Sequence, residues 1–143
     1  MLEKDLYEKY IYNLLKTYTE QGKKKFVLYP NGDIAGLAAD VLIHRFGINP
    51  EFVVDNIKFD GERVFSLEQA EKKTEKDMFY LICSDRDDIY DIIRDNLKRH
   101  IKTENIIDLF PKLRGGEYKR SVMDMLDCLD KELEAMEKDY VCD

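Results

Sequence analysis

Apolar residues recur along the chain in two different patterns, and the alternation between the patterns predicts a mixed α/β protein. Helical spacing predicts an amphipathic helix over 2–19, which ends at Gln21-Gly22. Short apolar runs predict strands at about 25–29, 52–55, 78–83 and 106–110, with a short extra strand at 63–65. Because strands alternate with helices, we expect parallel pairing through right-handed crossovers and a three-layer α/β fold.

Three further helical segments lie between these strands. A helix over about 33–46 is predicted to end at Gly47, because glycine readily adopts the left-handed conformation that terminates helices. Ser66 and Gln69 have the spacing of a capping box and predict the start of a short helix. A third helix is predicted from residue 87 or 88 to about residue 100, with an aspartate at its start.

A final helix is predicted over roughly 118–139. Its apolar residues alternate by four and three positions, at Val122, Leu126, Leu129, Leu133, Met136 and Tyr140. We expect this seam to form a homodimer contact or to dock on a catalytic partner domain. The chain is then one domain of three parts: an N-terminal helix (1–22), an α/β core (23–112) and a C-terminal amphipathic helix (117–140).

The bulk composition excludes several function classes. Acidic residues outnumber basic ones by 30 to 23, giving a net charge of −7, and this argues against nucleic acid as a partner. No apolar run approaches 18 residues and no signal-peptide pattern is present, so we expect a cytoplasmic protein without membrane contact. Cys83, Cys128 and Cys142 form no CxxC pair and are expected to be reduced thiols, with Cys83 in the core.

The first predicted strand runs directly into a glycine turn, Pro30-Asn31-Gly32-Asp33-Ile34, which opens the next helix. Phosphate-binding turns need residues of little bulk, so that backbone N–H groups can touch a pyrophosphate. If Gly32 is the second glycine of the dinucleotide fingerprint, Pro30 stands at the first and removes an N–H group. Two interpretations stay open: the turn binds phosphate, or it is an ordinary βα turn capped by Asp33.

Polar residues follow two more of the predicted strands. Asp55 and Asn56 end the second strand, where an acid accepts hydrogen bonds from ribose hydroxyls in dinucleotide and S-adenosylmethionine sites. The alternative is a loop start, since Asp-Asn also favours turns. Ser84 and Asp85 leave the central strand at the same edge of the sheet. They are candidate ligand contacts, with helix N-capping as the alternative.

We identify no catalytic residue and no metal site. Tyr12 and Lys16 have the spacing of a dehydrogenase Tyr-x-x-x-Lys pair but precede the first strand, where a surface helix pair is expected. His44 and His100 have no partner carboxylate or cysteine at ligand spacing. We therefore expect the chain alone not to catalyse a reaction.

Two motifs carry a resemblance to a known group of domains. Tyr29-Pro30-Asn31-Gly32-Asp33-Ile34-Ala35 and Val53-Val54-Asp55-Asn56 are followed by a glycine loop at Gly61 and a helix start at Ser66. The pattern resembles small Rossmann-like domains of bacterial polysaccharide and sugar-modification proteins, which accompany nucleotide-sugar dehydratases, sugar acyltransferases or FkbM-type methyltransferases.

The resemblance implies a Rossmann-like, mostly parallel sheet of four to five strands that binds a nucleotide or nucleotide-sugar at these residues. A NAD-like dinucleotide, a nucleotide-sugar and S-adenosylmethionine all remain candidate ligands. Two other functions also stay open. The first is an interaction or regulatory domain with a degenerate nucleotide site. The second is a fragment or subunit of an S-adenosylmethionine-dependent methyltransferase.

Overall fold

The computed structural model describes residues 3–86 and 88–111. The helices are α1 (Glu3–Glu20), α2 (Asp33–Phe46), α3 (Leu67–Lys73) and α4 (Tyr90–Lys98). The strands are β1 (Lys25–Tyr29), β2 (Phe52–Val54), β3 (Val64–Phe65), β4 (Met78–Ile82) and β5 (Ile106–Asp108). A short 3-10 turn (Thr103–Asn105) precedes β5. The helix predicted over 118–139 lies outside the described residues.

The five strands form one sheet in the order β3-β2-β1-β4-β5, and every neighbouring pair is parallel. This arrangement confirms the predicted three-layer, Rossmann-like α/β fold. From β1 the chain first moves across the sheet through β2 and β3, then returns to add β4 and β5 on the other side. Open sheets of this kind bind ligands at the carboxyl ends of the strands beside that reversal, here between β1 and β4.

One face of the sheet is covered by α3 and α4. Tyr80 and Ile82 point to the same face because they are two residues apart in β4, and Ile82 is in register with Asp108. The Tyr80 hydroxyl lies 2.5 Å from Thr74 Oγ1, just after α3. Tyr90 of α4 donates a hydrogen bond to Asp108. These contacts place both helices on this face.

The other face is covered by α1 and α2, which pack against each other. Phe79 points to this side, and its ring and that of Tyr18 in α1 both contact the Lys23 ammonium group. Leu28 and Leu81 are in register on adjacent strands and are fully buried. At about 25 cal/mol per Å² of apolar surface, such central side chains supply much of the folding free energy.

Local signals fix several element ends as predicted. Gly47 has φ 67°, in the left-handed region, and its N–H bonds to the end of α2. Ser66 and Gln69 form the predicted capping box of α3. The predicted start of α4 at residue 87 or 88 is wrong, because α4 begins at Tyr90. Before α4, Arg86 forms an exposed ion pair of 2.8 Å with Asp88.

Candidate functional site

The turn after β1 begins at a cis Tyr29–Pro30 peptide bond and leads into α2. Gly32 is the N-cap residue of α2, and no side chain caps this helix. The expectation that Asp33 caps α2 is wrong, because Asp33 is already the first helical residue. Capping requires the residue before the first helical position. The Asp33 carboxylate is exposed and lies in the first turn of the helix.

The first turn of α2 therefore keeps N–H groups that no intrahelical carbonyl accepts. The first intrahelical bond runs from the Gly36 N–H to the Gly32 carbonyl oxygen, at 3.0 Å. In α3, by contrast, Ser66 Oγ accepts the Gln69 N–H and Gln69 Oε1 accepts the Ser66 N–H, at 3.3 and 3.0 Å. The start of α2 thus leaves its donors for an external acceptor.

Gly32 leaves open space at this helix start. A Cβ built on Gly32 would meet no atom within 4 Å, and its φ of −179° is extended backbone that any residue adopts. Neither packing nor backbone conformation in the described residues requires glycine at this position. A glycine of this kind admits the close approach of a group from outside the protein.

Asp55 follows β2 directly and lies beside the turn, so the structure brings these two predicted features together. Asp55 is only 9% exposed. Its Oδ1 accepts the N–H groups of Ile57 and Lys58, at 2.8 and 3.1 Å. Its Oδ2 accepts the Asn31 N–H at 3.2 Å. The carboxylate therefore ties the turn after β1 to the loop after β2.

Two neighbours of Asp55 complete this part of the edge. Tyr29 ends β1, and burial together with the Asp55 charge raises the pKa of its hydroxyl. Asn56 accepts the Leu67 N–H through Oδ1 at 3.1 Å, which joins the loop to the start of α3. Both predicted residues, Asp55 and Asn56, thus organise the backbone around the turn. The charge of Asp55 is distributed over three N–H donors.

Ser84 and Asp85 follow β4 and do not cap α4, which begins five residues later at Tyr90. The expectation of N-capping is wrong for both. Ser84 is buried, and its Oγ accepts the Arg86 N–H at 3.3 Å. Asp85 Oδ2 accepts a hydrogen bond of 2.5 Å from the Tyr7 hydroxyl. The sequence pattern did not indicate Tyr7, whose partner is 78 positions away.

A second polar cluster that sequence reasoning missed lies at the end of β5. Tyr90 donates a hydrogen bond of 2.7 Å to Asp108 Oδ1. Burial and this carboxylate raise the pKa of the Tyr90 hydroxyl. Arg94 Nε lies 3.3 Å from the same oxygen but is not aligned for a hydrogen bond, so the contact is an ion pair. The only local signal was an acid inside the predicted strand 106–110, and β5 ends at that acid, Asp108.

Other features of the described residues lie away from this edge. A groove of about 500 Å³ between α1 and α2 is lined by charged and aromatic side chains, among them Asp40, Arg45 and Tyr12. His100 Nδ1 lies 3.0 Å from Glu71, a carboxylate 29 positions away in the sequence. Within 3–86 and 88–111, no three His, Cys, Asp or Glu side chains converge as metal ligands.

Cys83 is buried just beyond β4 and donates a hydrogen bond to the Leu81 carbonyl oxygen. Its burial confirms the expected core role and raises the pKa of its thiol to about 12. Across the part of the chain that the structure describes, no helix combines the length and apolarity needed to span a membrane.

Comparison of the chain with protein-family models, with curated proteins and with solved structures finds no match.

Proposed function

We propose that this protein is a nucleotide-binding module whose ligand phosphate sits at the start of α2, beside Gly32. The observation that carries the proposal is the uncapped first turn of α2 next to a glycine with open space above it. Helix N-termini attract phosphate because free N–H groups and the helix dipole both favour negative charge. The position at the carboxyl edge, beside the reversal of strand order, is where α/β sheets bind ligands.

The ligand class we propose is a nucleotide or nucleotide-sugar. The strand-end motif at Asp55-Asn56 and the turn motif support it, through their resemblance to domains of sugar-modification proteins. Asp55 supports the site by fixing the turn through the Asn31 N–H. We propose no reaction for the chain alone, because the described residues around the turn include no acid–base pair directed at a ligand.

One observation favours a second candidate, an interaction domain with a degenerate nucleotide site. Pro30 has no N–H group, and the Asn31 N–H is already bonded to Asp55. Neither of these two residues can therefore donate a backbone N–H group to phosphate. The exposed Asp33 carboxylate adds electrostatic repulsion. A binding experiment separates the two candidates.

The test uses Gly32→Ser, with Gly36→Ala as the matched control. Serine is a good N-cap residue, so its hydroxyl should accept an N–H of α2 and compete directly with phosphate. We expect this variant to keep or slightly raise the stability of the unliganded protein. Gly36 lies inside α2, where a Cβ also meets nothing within 4 Å. Its replacement should stabilise the helix by about 0.5–1 kcal/mol without affecting binding.

Thermal unfolding is measured with ADP, UDP, UDP-glucose and S-adenosylmethionine. A ligand at 100 times its Kd stabilises the native state by about 2.7 kcal/mol. We expect this gain for at least one nucleotide in the wild-type protein and in Gly36→Ala, and its loss in Gly32→Ser. No response to any nucleotide at millimolar concentration would contradict the proposal and favour the interaction domain.

A further inference from the structure

The described structure closes one half of the carboxyl edge and leaves the other half open. In a sheet of this order, β1–β3 form one half, and β4 and β5 belong to the other. A dinucleotide spans the reversal and places one nucleotide on each half. The state of the β4–β5 half therefore decides how large a ligand can lie along the edge.

The first turns of α1 cover the ends of β4 and β5. Tyr7 is 4% exposed, and its hydroxyl bonds to Asp85, three residues beyond β4. The Tyr7 ring meets Phe110 edge to face, with 5.9 Å between ring centroids. Phe110 lies two residues beyond β5 and is almost fully buried. These side chains fill the space above the two strand ends.

Tyr10 adds a second layer to this cover. Its ring stacks on the Phe110 ring, with 5.3 Å between centroids and 25° between planes. Its hydroxyl donates a hydrogen bond to the Leu109 carbonyl oxygen. Stacked and edge-to-face aromatic pairs contribute beyond their buried area, so this cover is a packed part of the core.

The polar groups at the end of β5 are also engaged by the protein. Asp108 is the last residue of β5, and it is bound by Tyr90 and paired with Arg94. By contrast, the residues beyond β1 and β2 include exposed backbone and side chains, at Asn31, Gly32, Asp33 and Asn56. Beyond β4, Arg86 and Asp88 are exposed as well, but their side chains are paired with each other at 2.8 Å. On the β4–β5 side of the described structure, the strand ends themselves are covered, whereas on the β1–β2 side they are open.

We infer that the site accommodates a single nucleotide on the β1–β2 half, and that groups attached beyond its diphosphate stay in solvent. The inference rests on the proposed function and deepens it, since it excludes a dinucleotide bound along the whole edge. A nucleoside diphosphate and its sugar conjugate fit this arrangement. The second nucleoside of NAD does not.

The experiment measures Kd by calorimetry on the full chain for ADP-ribose and NAD, and for UDP and UDP-glucose. ADP-ribose and NAD share the adenosine, the diphosphate and the second ribose, so their comparison isolates the nicotinamide. We expect the two Kd values to agree within threefold, and those of UDP and UDP-glucose likewise. A tenfold advantage of NAD or UDP-glucose, about 1.4 kcal/mol, would overturn the inference and leave the proposed function standing.

Amide NMR shifts give a readout that does not depend on affinity. We expect every probe that binds to shift the amide resonance of Gly32 and to leave the amide resonances of Tyr7 and Phe110 unchanged. Shifts at Tyr7 or Phe110 that appear with NAD and not with ADP-ribose would overturn the inference. If none of the four probes binds, the proposed function fails, and this inference fails with it.

Discussion

Asp55 offers the sharpest test of how the carboxyl edge is held together. Its carboxylate accepts three backbone N–H groups, two through Oδ1 and one through Oδ2. Hydrogen bonds to charged groups contribute about 1.5–3 kcal/mol each, and less where water can replace them. All three donors belong to exposed residues, Asn31, Ile57 and Lys58. We therefore expect Asp55→Ala to lower the free energy of unfolding by about 2–4 kcal/mol.

Asp55→Asn separates the two oxygens. The amide oxygen can still accept the N–H groups of Ile57 and Lys58, but its NH₂ group faces the Asn31 N–H and cannot accept it. We expect a loss of about 1–2 kcal/mol, because one bond is lost and a donor is left unpaired. Urea unfolding monitored by circular dichroism measures both variants.

Asp60→Asn is the matched control. Asp60 accepts the N–H groups of Glu62, Arg63 and Val64 through a single oxygen, Oδ1, which asparagine retains. Its effect should be smaller than that of Asp55→Asn. Amide exchange should accelerate at Asn31 in Asp55→Asn and stay unchanged there in Asp60→Asn. Equal stability of wild type and Asp55→Asn, with unchanged exchange at Asn31, would refute the reasoning.

Two further predictions concern ionisable groups. Backbone N–H groups of Val64, Glu62 and Arg63 lower the pKa of Asp60 from 3.8 to about 2, so its contribution to stability is complete above about pH 4 and is lost as the pH falls toward 2. Wild type should therefore lose more stability than Asp60→Asn over this range in urea titrations, and parallel curves would contradict the assignment. Burial raises the pKa of Cys83 to about 12, so iodoacetamide at pH 8 should modify it only after unfolding. Peptide mass spectrometry distinguishes Cys83 from Cys128 and Cys142, and rapid labelling of the native protein would show that Cys83 is accessible.

Local sequence signals were sufficient for most of the fold. β1 and α2 have the predicted bounds, because the glycine turn separates them and Gly47 ends the helix. The capping box at Ser66 was readable because its two members are three positions apart. The parallel sheet followed from the alternation of strands and helices.

The geometry of the site was harder to predict from the sequence. Its contacts join residues that are distant in sequence, or they depend on the exact residue at which a helix begins. The sequence suggests Asp33 as the N-cap of α2. An N-cap residue precedes the helix, but α2 already begins at Asp33. The sequence suggests that Asp55 accepts hydrogen bonds from ribose hydroxyls. In the structure its oxygens accept backbone N–H groups from two loops. Tyr7 carries only the helical periodicity of α1, and nothing local links it to Asp85.

The most direct test of the proposed site is a titration of ¹⁵N-labelled protein with UDP and ADP, monitored by amide NMR. The account predicts that the largest shift changes fall on the Gly32, Asp33 and Ile34 amides, whose N–H groups begin α2. It also predicts saturation, and the loss of these changes in Gly32→Ser. Unmoved amides at these three residues at millimolar nucleotide, or shifts confined to the groove between α1 and α2, would contradict it.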